Sequence, residues 1–293
     1  MIQCLICGSN KTLVARCKKI KELWFCPQCL VFFVWPQPSS AELGSIYDEM
    51  YFKNQESSKI GYKDYLKDRE KILKTFNRRF RLIEKFLPKP GTVLDLGCAT
   101  GLFLEVLESK GWDVYGVDIS EFAVNIAREK FKDKIANNTI ENSNFPENYF
   151  DLITMWDFLE HVSDPKKVIA LCRKILKPKG FLMLTTPDIG SLMAKITGER
   201  WMGYKEKEHI FYFSRQTIKY LLLEYGFVIK KMQYTGKYVS IDLLIDRLYS
   251  YVPWVSRIIS KFIKIFNLSK WSAEYSIYIN PFDIVWVIAE KQE

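Results

Sequence analysis

The sequence lacks an apolar run of the length a membrane span needs. Its longest uncharged stretch, Leu23 to Ala41, is interrupted by Cys26, Pro27, Gln28, Cys29, Pro36, Gln37 and Pro38. The purely apolar part, Leu30 to Trp35, is six residues, against the roughly 20 of a spanning helix. Met1 to Asn10 has no basic start followed by an apolar run, so no signal peptide is expected and a cytoplasmic location is. Histidine is nearly missing: two residues in 293, His161 and His209. A balance of 48% hydrophobic and 26% charged residues excludes disorder, and the length supports a core that needs no disulfide staple.

Charge is plentiful and uneven. There are 43 basic and 34 acidic residues, a net charge of +9. Between Lys59 and Lys85 ten basic residues face four acidic ones, and Arg257 to Lys270 carries four cations and no acid. Such stretches suit phosphate-bearing partners (RNA, anionic lipid, nucleotide-sugars) and equally suit a solvated helix face.

Seven cysteines separate by spacing. Cys4-x-x-Cys7 and Cys26-x-x-Cys29 form two pairs with 18 residues between them, the pattern of a four-cysteine zinc site. Two residues between thiolates let a tight turn offer both sulfurs to one tetrahedral ion, and Gly8 relaxes the first turn. Residues 1–38 then make a ribbon too small for a core of its own, with metal supplying folding energy. Four thiolates leave no open position, so this Zn2+ is structural. Cys17, Cys98 and Cys172 have no partner at ligand spacing and read as packing residues.

Residues 39–90 read as a helical linker or lid, with Ser40 capping its start and Gly61 and Tyr62 leading into a helix. Tyr65, Leu66, Ile72, Leu73, Phe76, Phe80, Ile83 and Phe86 recur at helical spacing, and Pro88, Pro90 and Gly91 end it. From Gly91 strands and helices alternate: a strand at Thr92–Leu96, the turn Asp95-Leu96-Gly97-Cys98-Ala99-Thr100-Gly101, a helix to Lys110, and a strand Asp113–Val117 ending at Asp118. This is a doubly wound α/β pattern, which binds ligands at the carboxyl ends of its strands. The nicotinamide fingerprint would place glycines at 97, 99 and 102, where Gly97, Ala99 and Leu102 stand.

Asp95-x-Gly97-x-x-x-Gly101 resembles motif I of the class I S-adenosylmethionine-dependent methyltransferases. The likeness continues through Asn148 to Ile153, Glu160-His161-Val162-Ser163-Asp164-Pro165, Leu176 to Gly180, Thr185-Thr186-Pro187 and Glu208 to Ser214. The last segment is similar to one in ubiquinone-pathway O-methyltransferases. Phe32 to Phe52, with Tyr47-Asp48 and Tyr51-Phe52, resembles the lead-in of zinc-ribbon methyltransferases that accompany surface-glycan pathways. The resemblance implies a Rossmann-like, seven-stranded α/β sheet over residues 91–293, behind the zinc ribbon. It also implies S-adenosylmethionine as methyl donor, near Asp95, Gly97, Cys98, Ala99, Gly101, Asp118, Ile119, Glu141 and Trp156. Gly97 and Gly101 would admit the methionyl part, Asp95 its ammonium, and Asp118, 23 residues beyond Asp95, the ribose hydroxyls. Glu141 would lie at the adenine edge and Trp156 beside the adenine or methionyl moiety.

An oxygen acceptor needs a base, for which His209 and then His161 are the candidates; fixing a loop by hydrogen bonds is their structural alternative. Asp157, Glu160 and His161 at i, i+3 and i+4 would share a helix face, a cluster that some of these relatives use for a divalent metal. Residues 236–282 read as a helical insertion. In it Trp254, Val255, Ile258, Ile259, Phe262, Ile263, Ile265 and Phe266 oppose Ser256, Arg257, Ser260, Lys261 and Lys264, the pattern of a helix lying on an anionic membrane or covering a pocket. The expected function is O- or N-methyl transfer to a small molecule: a sugar, glycan precursor or phenolic compound. The expected location is cytoplasmic, with peripheral contact at the inner membrane face if that helix lies on a membrane. RNA methylation, with ribbon and basic helix gripping phosphates, is the alternative. Thr154-Met155-Trp156-Asp157 stands where RNA-base enzymes often carry N-P-P-Y.

Overall fold

The computed structural model describes residues 2–38, 42, 46, 52, 67–249, 251–266 and 268–293. Ser40, Tyr47, Asp48, Tyr51, Gly61, Tyr62, Tyr65 and Leu66 lie outside them, as does the first part of the basic stretch. The main sheet has seven strands in the order β10-β11-β8-β7-β4-β5-β6. These are β4 (Thr92–Leu96), β5 (Asp113–Asp118), β6 (Ile135–Asn137), β7 (Phe150–Trp156), β8 (Leu176–Pro187), β10 (Phe227–Ser240) and β11 (Ser276–Lys291). Strands β6, β5, β4, β7 and β8 pair in parallel, while β11 pairs antiparallel with both β8 and β10.

Both faces of this sheet are covered, which explains its continuous apolar strands. Side chains alternate between two cores with the period of two that a pleated strand imposes. Leu94, Leu96, Leu182, Leu184, Val285 and Val287 enter one core, and Val93, Met183, Trp286 and Ile288 the other. The second core also takes Ile72, Phe76, Phe80 and Ile83 from α1 (Arg69–Ile83) and residues of α2 (Leu102–Glu108) and α3 (Glu121–Phe131). The first takes α4 (Pro165–Ile175) and α6 (Arg215–Glu224), α5 being the short helix Leu192–Thr197.

The cysteine segment folds as β1 (Leu13–Val14), β2 (Leu23–Cys26) and β3 (Val31–Val34), an antiparallel sheet. Its fourth strand is β9 (Phe211–Tyr212), from the far end of the chain, with Phe32 opposite Tyr212 and Phe33 opposite Phe211. Cys4, Ile6, Cys26, Cys29, Val31 and Phe33 belong to the first core of the main sheet. Thr217, in the capping box of α6, donates its hydroxyl to the Cys29 carbonyl at 2.7 Å. The ribbon therefore borrows the hydrophobic area it could not supply itself.

Beyond Thr235, β10 and β11 continue as a two-stranded arm, with Lys237 opposite Ile279 and Ser240 opposite Ser276 and a bulge between Thr235 and Lys237. A side chain at Gly236 would put its Cβ 1.9 Å from the Ile279 carbonyl oxygen, so only glycine fits this crossing. The arm carries α7 (Ile241–Tyr249), α8 (Pro253–Ile265) and α9 (Ser269–Glu274).

Phe33 is fully buried in the core shared by ribbon and sheet. Phe33→Ala should cost about 3–5 kcal/mol. Scanning calorimetry should show ribbon and sheet unfolding in one transition; two separate transitions would contradict the shared core.

Candidate active site

The carboxyl ends of β4, β5 and β7 open into a cavity of about 1110 Å3. Asp95, Gly97, Cys98, Ala99, Asp118, Ile119, Glu141, Trp156, His161 and His209 all line it. The sequence thus named residues far apart in the chain that the fold brings to one place. Gly101 is the exception among them: it caps α2 in the left-handed conformation, and its missing Cβ would meet the Phe131 ring at 2.9 Å. At Gly97 a Cβ would meet Phe158 at 2.7 Å. Both glycines leave room for aromatic rings of the protein itself.

Positive φ recurs in the turn, at 74° for Gly97, 47° for Ala99 and 80° for Gly101. Only Ala99 bears the steric cost of that conformation. The turn aims the Ala99 N–H at Asp118 Oδ2 (2.8 Å), while the Ser120 N–H reaches Oδ1 (2.9 Å). Burial raises the Asp118 carboxyl, and the backbone donors of Ser120, Ala99 and Ile119 pull it back. A carboxylate fixed at both oxygens keeps further lone pairs for a ligand's hydroxyls. Asp95 is buried deeper and accepts the Thr154 hydroxyl at 2.6 Å. Burial pushes it up to about 7, with the Asp118 charge adding and the Thr154 bond and Arg79 opposing.

Asp157, Glu160 and His161 do not share a helix face. Asp157 adopts φ 52°, and only Leu159–His161 forms a short 3-10 turn. Asp157 is turned instead to Thr185, whose hydroxyl donates to it at 2.8 Å, and to Arg79, 3.8 Å away. His209 takes its place: ligand atoms of Glu160, His161 and His209 lie within 4.8 Å of one another. His161 Nδ1 is 2.9 Å from the Glu208 carbonyl oxygen and His209 Nδ1 3.0 Å from that of Gly203. A carbonyl only accepts, so each ring carries its proton on Nδ1 and presents Nε2 as an acceptor. Burial and then Lys205 lower His161 to about 4; burial, His161 and Lys205 hold His209 well below its usual range. Glu160 is pushed up to about 8 by burial and by Asp157. Burial is the first cause of both lowered imidazoles, and two neutral rings offering Nε2 beside the Glu160 carboxyl form a donor set of the kind that ligates a divalent cation.

The four ribbon sulfurs also fit a metal ion. Cys4 Sγ to Cys29 Sγ is 3.6 Å, Cys7 Sγ to Cys26 Sγ is 3.5 Å, and all four lie within 4.8 Å. Zn–S bonds of about 2.3 Å in a tetrahedron space sulfurs by roughly 3.8 Å.

Sequence reasoning missed the cationic side of the cavity. Arg79 belongs to the basic stretch read as a surface feature, yet it is 4% exposed and enters the cavity, while Arg69, Lys74, Arg78 and Arg81 on the same helix stay outside. Its position between the apolar residues Phe76 and Phe80 was the available signal. Lys205, Lys237 and Arg247 also line the cavity and carried none.

Comparison with known proteins bears on the whole arrangement. Ubiquinone biosynthesis O-methyltransferase of Coxiella burnetii (strain Dugway 5J108-111) is 36% identical over 114 residues, 37% of this chain and 49% of that protein. The protein of that name from Thiobacillus denitrificans is 34% identical over 116 residues, covering 37% and 50%. The chain thus spans about half the length of these curated relatives. A SAM-dependent methyltransferase from Archaeoglobus fulgidus shares the fold at TM-score 0.52 and 21% identity, over 78% of this chain and 99% of that one. A methyltransferase structure from Bacillus halodurans gives 0.50 and 17%, over 73% and 98%. The family described as "Methyltransferase domain" matches residues 65–231, more than half of the sequence, and with the strand order and the Asp95–Asp118 turn in agreement, the chain belongs to that methyltransferase family.

Proposed function

We propose that this chain transfers a methyl group from S-adenosylmethionine to an oxygen or nitrogen of a small molecule, a sugar, glycan precursor or phenolic compound. The observation that carries this reading is the Asp118 carboxylate, braced by two backbone N–H groups across from the Gly97–Gly101 turn in the cavity that also holds both histidines. When bound, the donor supplies an electrophilic methyl on a sulfonium that is already a good leaving group. Asp118 holds the ribose diol, Asp95 the ammonium, and Trp156, Ile119 and Glu141 the remaining faces. The protein's task is then to align the acceptor and exclude water. His209, buried and neutral, offers Nε2 to the acceptor's proton, with Gly203 fixing its tautomer.

Donor binding and acceptor activation should separate. Asp118→Ala should weaken S-adenosylhomocysteine binding at least about tenfold by calorimetry, since a charge-assisted contact is lost. His209→Gln should leave that affinity intact and lower kcat about 10²-fold or more. Because its folded pKa lies below the ordinary value, His209 is already neutral at pH 6, so the parent rate should show no fall from pH 8 to pH 6 that His209→Gln abolishes.

The cysteines are assigned to one structural zinc. Metal analysis should return one zinc per chain. Chelation should lower Tm and slow acceptor turnover before it weakens donor binding, because β3 and β9 join the ribbon to the His209 segment; metal-free protein of unchanged Tm would contradict this.

Peripheral contact with an anionic bilayer is the reading of α8. Trp254, Ile258, Phe262, Ile265 and Phe266 are 56–67% exposed, while Ser256 turns inward to the Ile245 carbonyl at 2.9 Å. Arg257 and Lys261 are exposed beside this apolar stripe, matching acyl chains and anionic headgroups. No helix among the described residues is long and apolar enough to cross a membrane. The protein should sediment with phosphatidylglycerol vesicles, and Phe262→Asp should release it; equal binding by both would sink the assignment.

A further inference from the structure

Among the described residues five cations line the cavity. Arg79 comes from α1, Lys205 from the segment before β9, Lys237 from β10 just past the bulge, and Arg247 from α7; Arg200 lines it as well. Separate elements of the fold converge, so the clustering belongs to the tertiary structure and not to one solvated helix face. Two carboxylates, Asp157 and Asp283, share the chamber, Glu208 pairs with Lys205 at 3.1 Å, and Glu160, raised by burial, is mostly uncharged at neutral pH. The balance is positive.

Arg79 shows that internal partners leave this charge incompletely satisfied. A guanidinium this buried ordinarily has its donors matched. Its Nε has no hydrogen-bond partner among the described residues. The contact to Asp157, at 3.8 Å, is an ion pair too long for a hydrogen bond. The guanidinium rests over the Trp156 ring at 4.7 Å. Lys237, Arg247, Lys205 and Arg79 meanwhile act on one another: Lys237 is lowered to about 7 by burial and then by Arg247, with Lys205 and Arg79 adding and Asp157 opposing. Repulsion of this kind is relieved when an anion enters.

Size and donor geometry narrow the anion. At about 1110 Å3 the cavity exceeds the roughly 300–1,000 Å3 of a single small-ligand pocket, leaving space for an acceptor beside the donor. Two guanidinium forks and two ammonium groups present more donors than one carboxylate can accept, and they suit the oxygens of phosphate.

We propose that Arg79, Lys237 and Arg247, assisted by Lys205, bind a phosphate or diphosphate group carried by the methyl acceptor. The inference rests on the methyl-transfer reading above and sharpens it: the acceptor is a phosphorylated or diphosphate-linked small molecule.

The test uses the full chain loaded with S-adenosylhomocysteine and titrated calorimetrically with inorganic pyrophosphate. Saturable binding is expected, weakened about tenfold or more in Lys237→Met and in Arg247→Gln, with S-adenosylhomocysteine affinity unchanged in both. In the unsubstituted protein, pyrophosphate should also protect Lys237 from acetylation by acetic anhydride, read by mass spectrometry. Uridine diphosphate and geranyl diphosphate, run alongside, separate the two sources of the group. A gain over pyrophosphate for the first assigns a nucleotide-linked acceptor, a gain for the second a lipid-linked one, and no gain for either means that the diphosphate is recognised alone. Absence of pyrophosphate binding in protein that still binds S-adenosylhomocysteine would overturn the proposal, as would unprotected Lys237 or binding unchanged in both variants. Failure of the parent protein to bind S-adenosylhomocysteine would overturn the methyl-transfer reading instead.

Discussion

Two residue pairs, Phe32 with Tyr212 and Phe33 with Phe211, join the first 38 residues to the segment that follows His209. The join is mostly main chain, and its neighbours extend it: the Val34 N–H donates to the Ile210 carbonyl, and the Ile210 N–H to the Glu160 carbonyl. One line of hydrogen bonds thus runs from the cysteine ribbon through β9 to the turn that bears His161. The loop carrying His209 has little regular structure, and without this line it would lack a rigid support. The folding of the four-cysteine ribbon and the placing of two buried imidazoles become one problem.

The cavity is divided by the fold. The parallel strands β4, β5 and β7 deliver Asp95, Asp118 and Trp156 from their carboxyl ends, as a doubly wound sheet does wherever it binds a ligand. The cations come from outside that set: from the helix preceding the sheet, from the segment before β9 and from the arm of β10 and β11. Arg79 links the two sets, since it acts on Asp95 as well as on Asp157. Asp157 stands at the boundary, held in a left-handed conformation at the end of β7 and in its ionised form by Arg79, Lys237, Thr185 and Lys205 against the cost of burial. Strain at such a position is tolerated when surrounding contacts over-determine it.

Much of the cavity wall at β4 and β5 was legible because local sequence dictates it. A strand, a turn of small residues and an acid at the end of the next strand are near neighbours in the chain, and their geometry follows from backbone conformations that few residues adopt. The cysteine pairs were legible for the same reason. At Gly97 and Gly101 an added Cβ would meet Phe158 and Phe131, a packing reason for glycine that spacing alone does not reveal. The helix through Asp157, Glu160 and His161 failed because spacing cannot reveal a positive φ at residue 157. Arg79 and Lys237 are 158 positions apart, and no local pattern announces that a surface-like arginine and a strand lysine face one chamber.

The arm of β10 and β11 has a consequence for the cavity wall. It contributes Lys237 and, through α7, Arg247 to the cavity, yet none of the residues that contact Asp118 or Asp95. Changes of length or sequence between Ile241 and Glu274 therefore reshape the cavity wall that carries Arg247 while leaving the parallel strands as they are. The helices form a cap on a two-stranded stalk, and Gly236, packed on the Ile279 carbonyl, marks where the stalk leaves the sheet.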